Sequence, residues 1–224
     1  MQADNRAIQA AGAMPLNVLT ATTLQTPDSL LASQLSDASE VERQVTALLA
    51  AYPVGAIKIG MLGHASIVEA VARALQAQEK PPFVVLDPVL RTSSGSPLLD
   101  AAGLEILNQR LLPLVGLVTP NLEERPLLNV PESLAVLLTG GHAEGAECVD
   151  RLTLPNGQEE AFSAERMETT NTRGTGCALS SAIAAYIALG KALPEACQQA
   201  KDLLHSSLTR NVDKGFIAPG PSFF

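Results

Sequence analysis

Tryptophan is absent from the 224-residue sequence, and aromatic residues make up only 3% of it. Lysine and arginine are also scarce, since 15 of them stand against 23 aspartates and glutamates and give a formal net charge of -8. Single-strand binding relies on stacking against aromatic rings, and binding to any nucleic-acid backbone relies on clustered cations. We therefore expect no nucleic-acid partner. A small anionic substrate needs only a local positive site.

Cysteine is rare as well, with only Cys148, Cys177 and Cys197 in the sequence. Their number is odd, their spacing is wide, and none belongs to a Cys-x-x-Cys or Cys/His metal pattern, which indicates reduced thiols. The apolar stretch around 182–189 is far shorter than the roughly 18 residues of a membrane span, and the N-terminus has no apolar signal core. A cytoplasmic protein without a membrane partner is therefore expected.

Predicted strands and helices alternate along most of the chain. The first predicted helix begins with a capping box at Ser39 and Glu42, a hairpin is predicted at 148–167, and a helical stretch in two pieces closes the chain. Repeated βα units indicate one domain over 1–224, an α/β fold with a largely parallel sheet between helices. The periodicity places strands at 17–24, 56–61, 83–89, 115–119 and 133–138, and helices at 39–52, 65–78 and 101–112.

Ligands of such a sheet bind beyond the carboxyl ends of the strands. The strongest local feature is Gly174-Thr175-Gly176-Cys177, which leads into an apolar helix. Free N–H groups at a helix start form an anion hole suited to a transferring phosphoryl group, and Arg173 adds a positive charge beside it. The alternative is a plain glycine-containing loop before a helix.

Polar residues at other strand ends are further candidates. The helix dipole is expected to favour the thiolate of Cys177, as a base or as part of the anion hole; otherwise Cys177 is a small buried thiol. Asp87 offers a carboxylate for metal-bound water or a phosphate site, or else for loop hydrogen bonds. Asn121 and Glu124 are suited to Mg²⁺ and nucleotide phosphates, or to helix capping. Gln25 offers an amide to a heteroaromatic ring.

Several motifs together, in order and approximate spacing, resemble the hydroxymethylpyrimidine/phosphomethylpyrimidine kinase family over nearly the whole chain. They are Gln2-Ala3-Asp4, Lys58-Ile59-Gly60-Met61-Leu62, Leu86-Asp87-Pro88-Val89, Ser94-Gly95, Thr119-Pro120-Asn121-Leu122, Gly140-Gly141-His142 and Asn171-Thr172-Arg173-Gly174-Thr175-Gly176-Cys177.

The resemblance implies a ribokinase-like three-layer α/β/α fold, here lacking the family's first strand. It also implies two ATP-dependent phosphorylations, of hydroxymethylpyrimidine and of its monophosphate, in thiamine biosynthesis. By position, the resemblance implies a pyrimidine site lined by Gln25, Met61, Val89 and Cys177 and a catalytic anion hole formed by Gly174, Thr175, Gly176 and Cys177. It also implies a nucleotide site formed by Asn121, Thr139, Gly141 and Arg173. The implied Mg²⁺ ligands are Asp87 and Glu124.

The chain also departs from the family pattern. It starts after the family's opening strand and glycine-rich loop, and the span from Asn121 to Thr139 is about a helix shorter than the family leads us to expect. Thr139 stands where the family usually carries lysine, and Arg173 where it often shows histidine. Two alternatives remain open, a pyridoxal kinase and a catalytically weak pyrimidine-binding paralogue. Related kinases are often dimers, so a homodimer also remains open.

Overall fold

The computed structural model describes residues 1–25, 30–92, 95–141, 146–167 and 174–210. In these ranges the helices are α1 (Gln2–Ala10), α2 (Ala38–Ala51), α3 (Ala65–Gln76), α4 (Ala101–Ile106), α5 (Thr175–Ala188) and α6 (Leu193–Arg210). The strands are β1 (Ala21–Gln25), β2 (Leu30–Leu35), β3 (Ala56–Ile59), β4 (Phe83–Leu86), β5 (Leu117–Val118), β6 (Ala135–Leu138), β7 (Glu147–Thr153) and β8 (Glu159–Glu165). A π-helical turn, Leu107–Leu111, and a 3-10 turn, Leu112–Leu114, extend α4, and another 3-10 turn lies at Arg125–Leu127.

Six strands form the central sheet in the order β3-β4-β5-β6-β7-β8. Strands β3 to β6 are parallel, whereas β7 and β8 run antiparallel to their neighbours. Neighbouring residues of a strand point to opposite faces, and Val85 and Leu86 of β4 are both fully buried. A central strand therefore needs apolar residues throughout. The predicted α/β fold with a largely parallel sheet is confirmed.

Helices cover both faces of this sheet. Helices α2, α3 and α4 pack on one face, where Ile67 and Leu86 belong to one apolar cluster. Helices α1, α5 and α6 pack on the other, where Ile183 and Val85 belong to a second cluster. The result is the three-layer arrangement that the family resemblance implied. Among the helices of the described ranges, none is both long enough and apolar enough to span a membrane.

Strands β1 and β2 form a separate antiparallel pair. The sequence predicted a strand at 17–24 that leads directly into the first helix, and this is wrong in topology, because a second strand follows and neither joins the central sheet. Leu24 and Leu31 are 63% and 61% exposed, so the pair lacks the two covered faces of a central strand. The hydroxyl of Thr20 donates to the carbonyl of Met61 at 2.6 Å and fastens the pair beyond the end of β3.

Asp37, rather than Ser39, caps helix α2. The Asp37 carboxylate accepts the N–H of Glu40 at 3.0 Å, and the Ser39 hydroxyl donates to the same carboxylate. Glu42 forms an ion pair with Arg73 of α3 instead of turning back to the helix start. The predicted capping box is wrong because an equally good capping residue lies two positions earlier.

The second half of the chain follows its predicted pattern. Strands β7 and β8 form the hairpin predicted at 148–167, and Gly157 turns it with a φ of 81°. Helix α5 ends before Gly190, where φ is 86°, and α6 begins three residues later. Between β5 and β6, a span that is described throughout, the chain forms a 3-10 turn and no α-helix.

Candidate active site

Charged and polar side chains meet where β3 and β4 end and α5 begins. Lys58 lies in β3, Asp87 directly follows β4, and Ser180 lies in α5. The Nζ atom of Lys58 is 3.8 Å from Oδ2 of Asp87, and Oγ of Ser180 is 3.2 Å from the same oxygen. Asp87 is only 8% exposed. A buried carboxylate therefore stands at the ligand edge of the sheet, where the sequence placed it.

Lys58 and Asp4 were not among the predicted site residues, although both belong to motifs that carry the family resemblance. Nζ of Lys58 donates to Oδ1 of Asp4 at 2.6 Å, and the hydroxyl of Ser181 donates to the same oxygen at 2.8 Å. Helix α1 supplies Asp4, so this helix completes the cluster. The available signal was a lysine inside an apolar strand, because a buried cation requires a buried anion.

Burial and charge together set the protonation of this cluster. Burial raises the pKa of Asp87 above its ordinary value, and the charge of Lys58 opposes this only in part. Burial also acts to raise the pKa of Asp4, but the charge and hydrogen bond of Lys58 outweigh it and bring that pKa far below its usual range. Burial acts to lower the pKa of Lys58, yet the neighbouring anionic groups more than reverse this and raise it. Lys58 and Asp4 are thus a fixed ion pair at neutral pH.

Cys177 is a neutral thiol in this setting. Desolvation raises the pKa of Cys177 to about 12, and the charge of Lys58 reverses little of that effect. The expectation that the helix dipole favours its thiolate is therefore wrong, because burial is the larger influence. The thiol also forms a hydrogen bond with Asp87. Cys177 thus lies beside Asp87 at the start of α5, as a neutral thiol.

The predicted phosphate-binding turn, residues 174–177, forms the start of α5. Gly174 is the N-cap residue and has a φ of 77°, a conformation that favours glycine. The first N–H groups of a helix have no acceptor within it, and a glycine cap offers no side chain to replace one. A Cβ atom at Gly176 would lie 4.0 Å from Oδ2 of Asp87. The structure therefore brings the turn and Asp87 together, whereas Arg173 lies outside the described residues.

Glu124 joins two neighbouring loops at the same edge of the sheet. Its Oε1 accepts the N–H of Leu90 and its Oε2 accepts the N–H of Asn121, each at 3.1 Å. Oδ1 of Asn121 accepts the N–H of Glu124 in return at 2.9 Å. Burial raises the pKa of Glu124, and the two main-chain hydrogen bonds oppose this. The predicted Asn121–Glu124 pair is thus one reciprocal unit that connects the loops after β4 and β5.

Thr139 and Gly141 lie in the turn after β6. The N–H of Thr139 donates to the carbonyl of Pro120 at 3.0 Å, which places Thr139 beside the loop of Asn121. The hydroxyl of Thr139 donates to the same carbonyl at 3.3 Å. The carbonyl of Gly141 accepts a hydrogen bond from Arg166 at 3.0 Å. Two of the predicted nucleotide-site residues, Asn121 and Thr139, therefore come side by side.

The expected pyrimidine-site residues lie on separate segments. Val89 has a φ of 36°, which a β-branched residue rarely adopts, and the neighbouring Leu90 is held by Glu124. Met61 lines a cavity of about 290 Å³ together with Leu35 of β2 and the loop before α4. Gln25 ends β1, and its side chain lies outside the described part of the structure.

Asp87 and Glu124 supply carboxylate oxygens, which are the ligands that Mg²⁺ prefers. The charge of Asp87 raises the pKa of Glu124, so the two carboxylates act on each other. Among the described residues, no group of three or more His, Cys, Asp or Glu side chains is placed to hold a metal by itself. This donor set fits Mg²⁺, which is commonly held by one or two carboxylates together with water and phosphate oxygens.

Comparison with known proteins bears directly on this arrangement. The sequence matches the family model described as phosphomethylpyrimidine kinase over residues 1–133 and 127–220. The hydroxymethylpyrimidine/phosphomethylpyrimidine kinase of Salmonella typhimurium is 37% identical to it, over 96% of this chain and 89% of that protein.

Solved structures agree with these matches. The phosphomethylpyrimidine kinase of Clostridium difficile has a TM-score of 0.77 at 29% identity, covering 92% of this chain and 91% of that one. The pyridoxal kinase of Staphylococcus aureus in complex with ADP has a TM-score of 0.80 at 26% identity, covering 96% of this chain and 88% of that one. The chain belongs to the phosphomethylpyrimidine kinase family and has its ribokinase-like fold.

Proposed function

We propose that this protein transfers a phosphoryl group from ATP to 4-amino-5-hydroxymethyl-2-methylpyrimidine and then to its monophosphate, in thiamine biosynthesis. The observation that carries the proposal is the convergence of Lys58, Asp87 and the turn 174–177 at one edge of the sheet. Main-chain amides at a helix start suit the charge of a transferring phosphoryl group. The names of the relatives support the choice of substrate. We also propose that the protein is cytoplasmic, because its cysteines are free and disulfides are rare in that compartment.

On the nucleotide side, Asn121, Thr139, Gly141 and Arg173 are the proposed contacts. The hydrogen bonds between the loops of Asn121 and Thr139 support this, because they form one surface at the carboxyl ends of β5 and β6. Thr139 provides a hydroxyl where most of the family provides a cation. The charge of Arg173, directly before Gly174, takes over part of that neutralising role.

For the metal, Asp87 and Glu124 are the proposed ligands. Mg²⁺ bound there would neutralise charge on the phosphate oxygens of ATP. Asp87 is a buried carboxylate with a raised pKa, and a nearby cation favours the ionised form of such a group. Both oxygens of Glu124 already accept main-chain hydrogen bonds, but a carboxylate has about four lone-pair sites and keeps capacity for a ligand.

On the substrate side, Gln25, Met61, Val89 and Cys177 are proposed to line the pyrimidine site. The neutral thiol of Cys177 supports this, because it adds no negative charge where an anionic phosphoryl group approaches. The strained backbone of Val89 supports it as well, since such strain persists where surrounding contacts impose it, often at functional sites.

Purified protein with Mg²⁺-ATP is expected to release ADP when it is given hydroxymethylpyrimidine or its monophosphate. Pyridoxal is offered in parallel, and a reaction without substrate measures background ATP hydrolysis. ADP release with pyridoxal alone would move the assignment to pyridoxal kinase, an alternative that the similarity to the Staphylococcus aureus enzyme favours. Thermal stabilisation by a pyrimidine without ADP release would instead indicate the binding paralogue. If the protein shows neither ADP release nor thermal stabilisation with a pyrimidine, both pyrimidine-based functions are contradicted.

We also propose that two copies of the chain associate through the pair of strands β1 and β2. Leu24, Leu31 and Leu35 are 63%, 61% and 41% exposed there. An isolated two-stranded sheet is only marginally stable in water, and burial of these leucines against a second copy stabilises it. A mass in solution of twice that of one chain is expected from sedimentation equilibrium. The mass of a single chain contradicts the proposal.

A further inference from the structure

Lys201 of α6 and Asp150 of β7 form an ion pair that is almost closed to solvent. The two residues are 5% and 3% exposed, and Nζ of Lys201 lies 2.7 Å from Oδ2 of Asp150. Nζ also lies 3.3 Å from Sγ of Cys148. The desolvation of two charges commonly cancels their attraction, so an apolar pair of similar volume is often at least as stable. Stability alone therefore does not account for these charges.

The second oxygen of Asp150 holds the turn after β6. Oδ1 of Asp150 accepts the N–H of Gly140 at 2.8 Å, so the carboxylate is shared between a cation and a main-chain amide. Gly140 also has no clearance toward β7, because a Cβ atom there would lie 2.0 Å from the carbonyl oxygen of Val149. The turn after β6 thus packs closely against β7, and the Asp150 side chain holds it there through one hydrogen bond.

Lys201 fixes the direction in which Asp150 presents this oxygen. An ionised carboxylate can only accept hydrogen bonds, so it matches an ammonium group on one oxygen and an amide N–H on the other. A neutral side-chain amide at the same position carries one donor and one acceptor group and has two orientations. The charge pair therefore selects a single arrangement of the turn.

We propose that Asp150 and Lys201 are positioning residues for nucleotide binding. The inference rests on the proposed function, which assigns Thr139 and Gly141 on either side of Gly140 to the nucleotide. Neither charged side chain touches the nucleotide; both act through the Gly140 amide, which sets where the turn lies beside the Asn121 loop. A displacement of about 1 Å in such a turn is enough to weaken binding and phosphoryl transfer substantially.

The test compares Lys201→Met, Asp150→Asn and the double variant Lys201→Met/Asp150→Asn with the wild-type protein. Lys191→Met is the matched control, because the Lys191 side chain is 40% exposed and pairs with Glu195 at the surface. Three quantities are measured: Kd for Mg²⁺-ADP by calorimetry, KM for ATP and for the pyrimidine, and Tm. Each single variant leaves one buried charge without its partner and lowers Tm, whereas the neutral double variant recovers most of Tm.

In all three variants, Kd for ADP and KM for ATP are expected to rise about tenfold, because the acceptor oxygen at position 150 is no longer held in one orientation toward the Gly140 amide and that hydrogen bond is weakened. KM for the pyrimidine and every value of the Lys191→Met control remain at the wild-type level. The double variant is the decisive one, because its Tm is expected to recover while its affinity for ADP stays weak. It also provides folded protein even if the single variants unfold.

Recovery of both Tm and Kd for ADP in the double variant would overturn the inference and leave a purely structural pair. Equal rises in KM for ATP and for the pyrimidine would also overturn it, since that result indicates general loosening. ADP binding is measured without turnover, so wild-type protein that binds ADP but phosphorylates nothing contradicts the proposed function alone. Wild-type protein that does not bind ADP contradicts both.

Discussion

Replacement of Lys58 by methionine is expected to lower the free energy of unfolding by about 3–5 kcal/mol, the effect of removing one partner from a buried charge pair. Asp4 loses its buried cation and keeps only the N-terminal ammonium of Met1, and Asp87 loses the charge that partly offsets its burial. Urea denaturation at pH 7 measures the change. Lys80→Met is the control, because Lys80 is exposed, and its effect is expected to stay within about 0.5 kcal/mol.

The effect of Lys58→Met should also depend on pH, with a sign that follows from the pKa shifts. The folded-state pKa of Asp4 is depressed, so its stabilising contribution is present above the unfolded value of 3.8 and is lost as pH falls below it. The folded-state pKa of Lys58 is raised, so its contribution is complete below 10.5 and is lost only at higher pH. The wild-type protein thus has both contributions at pH 7.

In the variant, only the N-terminal ammonium of Met1 still opposes the effect of burial on Asp4, so the pKa of Asp4 rises and protonation at acidic pH relieves the undercompensated charge. The stability difference between wild type and variant is therefore smaller at pH 4 than at pH 7. Addition of Asp4→Asn to Lys58→Met should recover part of the loss at pH 7. An equal difference at both pH values, with no recovery in the double variant, would show that lost packing dominates.

Replacement of Asp87 by asparagine is expected to lower kcat at least about 100-fold while it leaves Tm nearly unchanged or slightly higher. The raised pKa of Asp87 means that burial penalises its charge, so a neutral side chain of the same shape removes a cost in the folded state. The Mg²⁺ concentration needed for half-maximal rate should rise as well. Steady-state rates over a Mg²⁺ titration measure both effects.

Glu79→Gln, at an exposed position, serves as the matched loss of one carboxylate charge. Wild-type kcat in Asp87→Asn would contradict the metal role of Asp87. Glu124→Gln is a poorer test of the metal site, because one oxygen becomes an NH₂ group that faces a main-chain N–H. That variant disturbs the loops after β4 and β5, whatever Glu124 does for the metal.

Burial on two faces is what made the central sheet predictable. Strands such as β4 and β6 are short apolar runs because helices cover both of their sides, and this pattern is visible in sequence. Helix α1 has only Ala7 buried, so it carries no apolar pattern to detect. The pairing of β1 with β2 outside the central sheet was missed for a similar reason, since exposed leucines of this pair give no pattern of a buried face. Elements without a buried apolar face can therefore be located only from the folded structure.

The residues of the candidate site were likewise only partly predictable from sequence. The rule that ligands bind at strand ends pointed to Asp87, Asn121 and Glu124, which the structure brings to one edge of the sheet, and the glycine turn was visible as a local motif. The Lys58–Asp4 pair joins residues 54 positions apart, which no local spacing indicates. The neutral state of Cys177 depends on how deeply the folded chain encloses its sulfur, and sequence alone supplies no such quantity.

The short connection between β5 and β6 also provides an attachment point for labels. Residues 131–133 lead into the beginning of β6, whereas Thr139 and the turn beside Asp150 lie beyond its other end. Glu132 and Ser133 are exposed. Lengthening a surface loop is inexpensive, since each doubling of its length costs only about 0.6 kcal/mol. A fluorophore or an affinity tag attached there would sit a full strand length from the edge of the sheet that holds the proposed phosphate-binding turn.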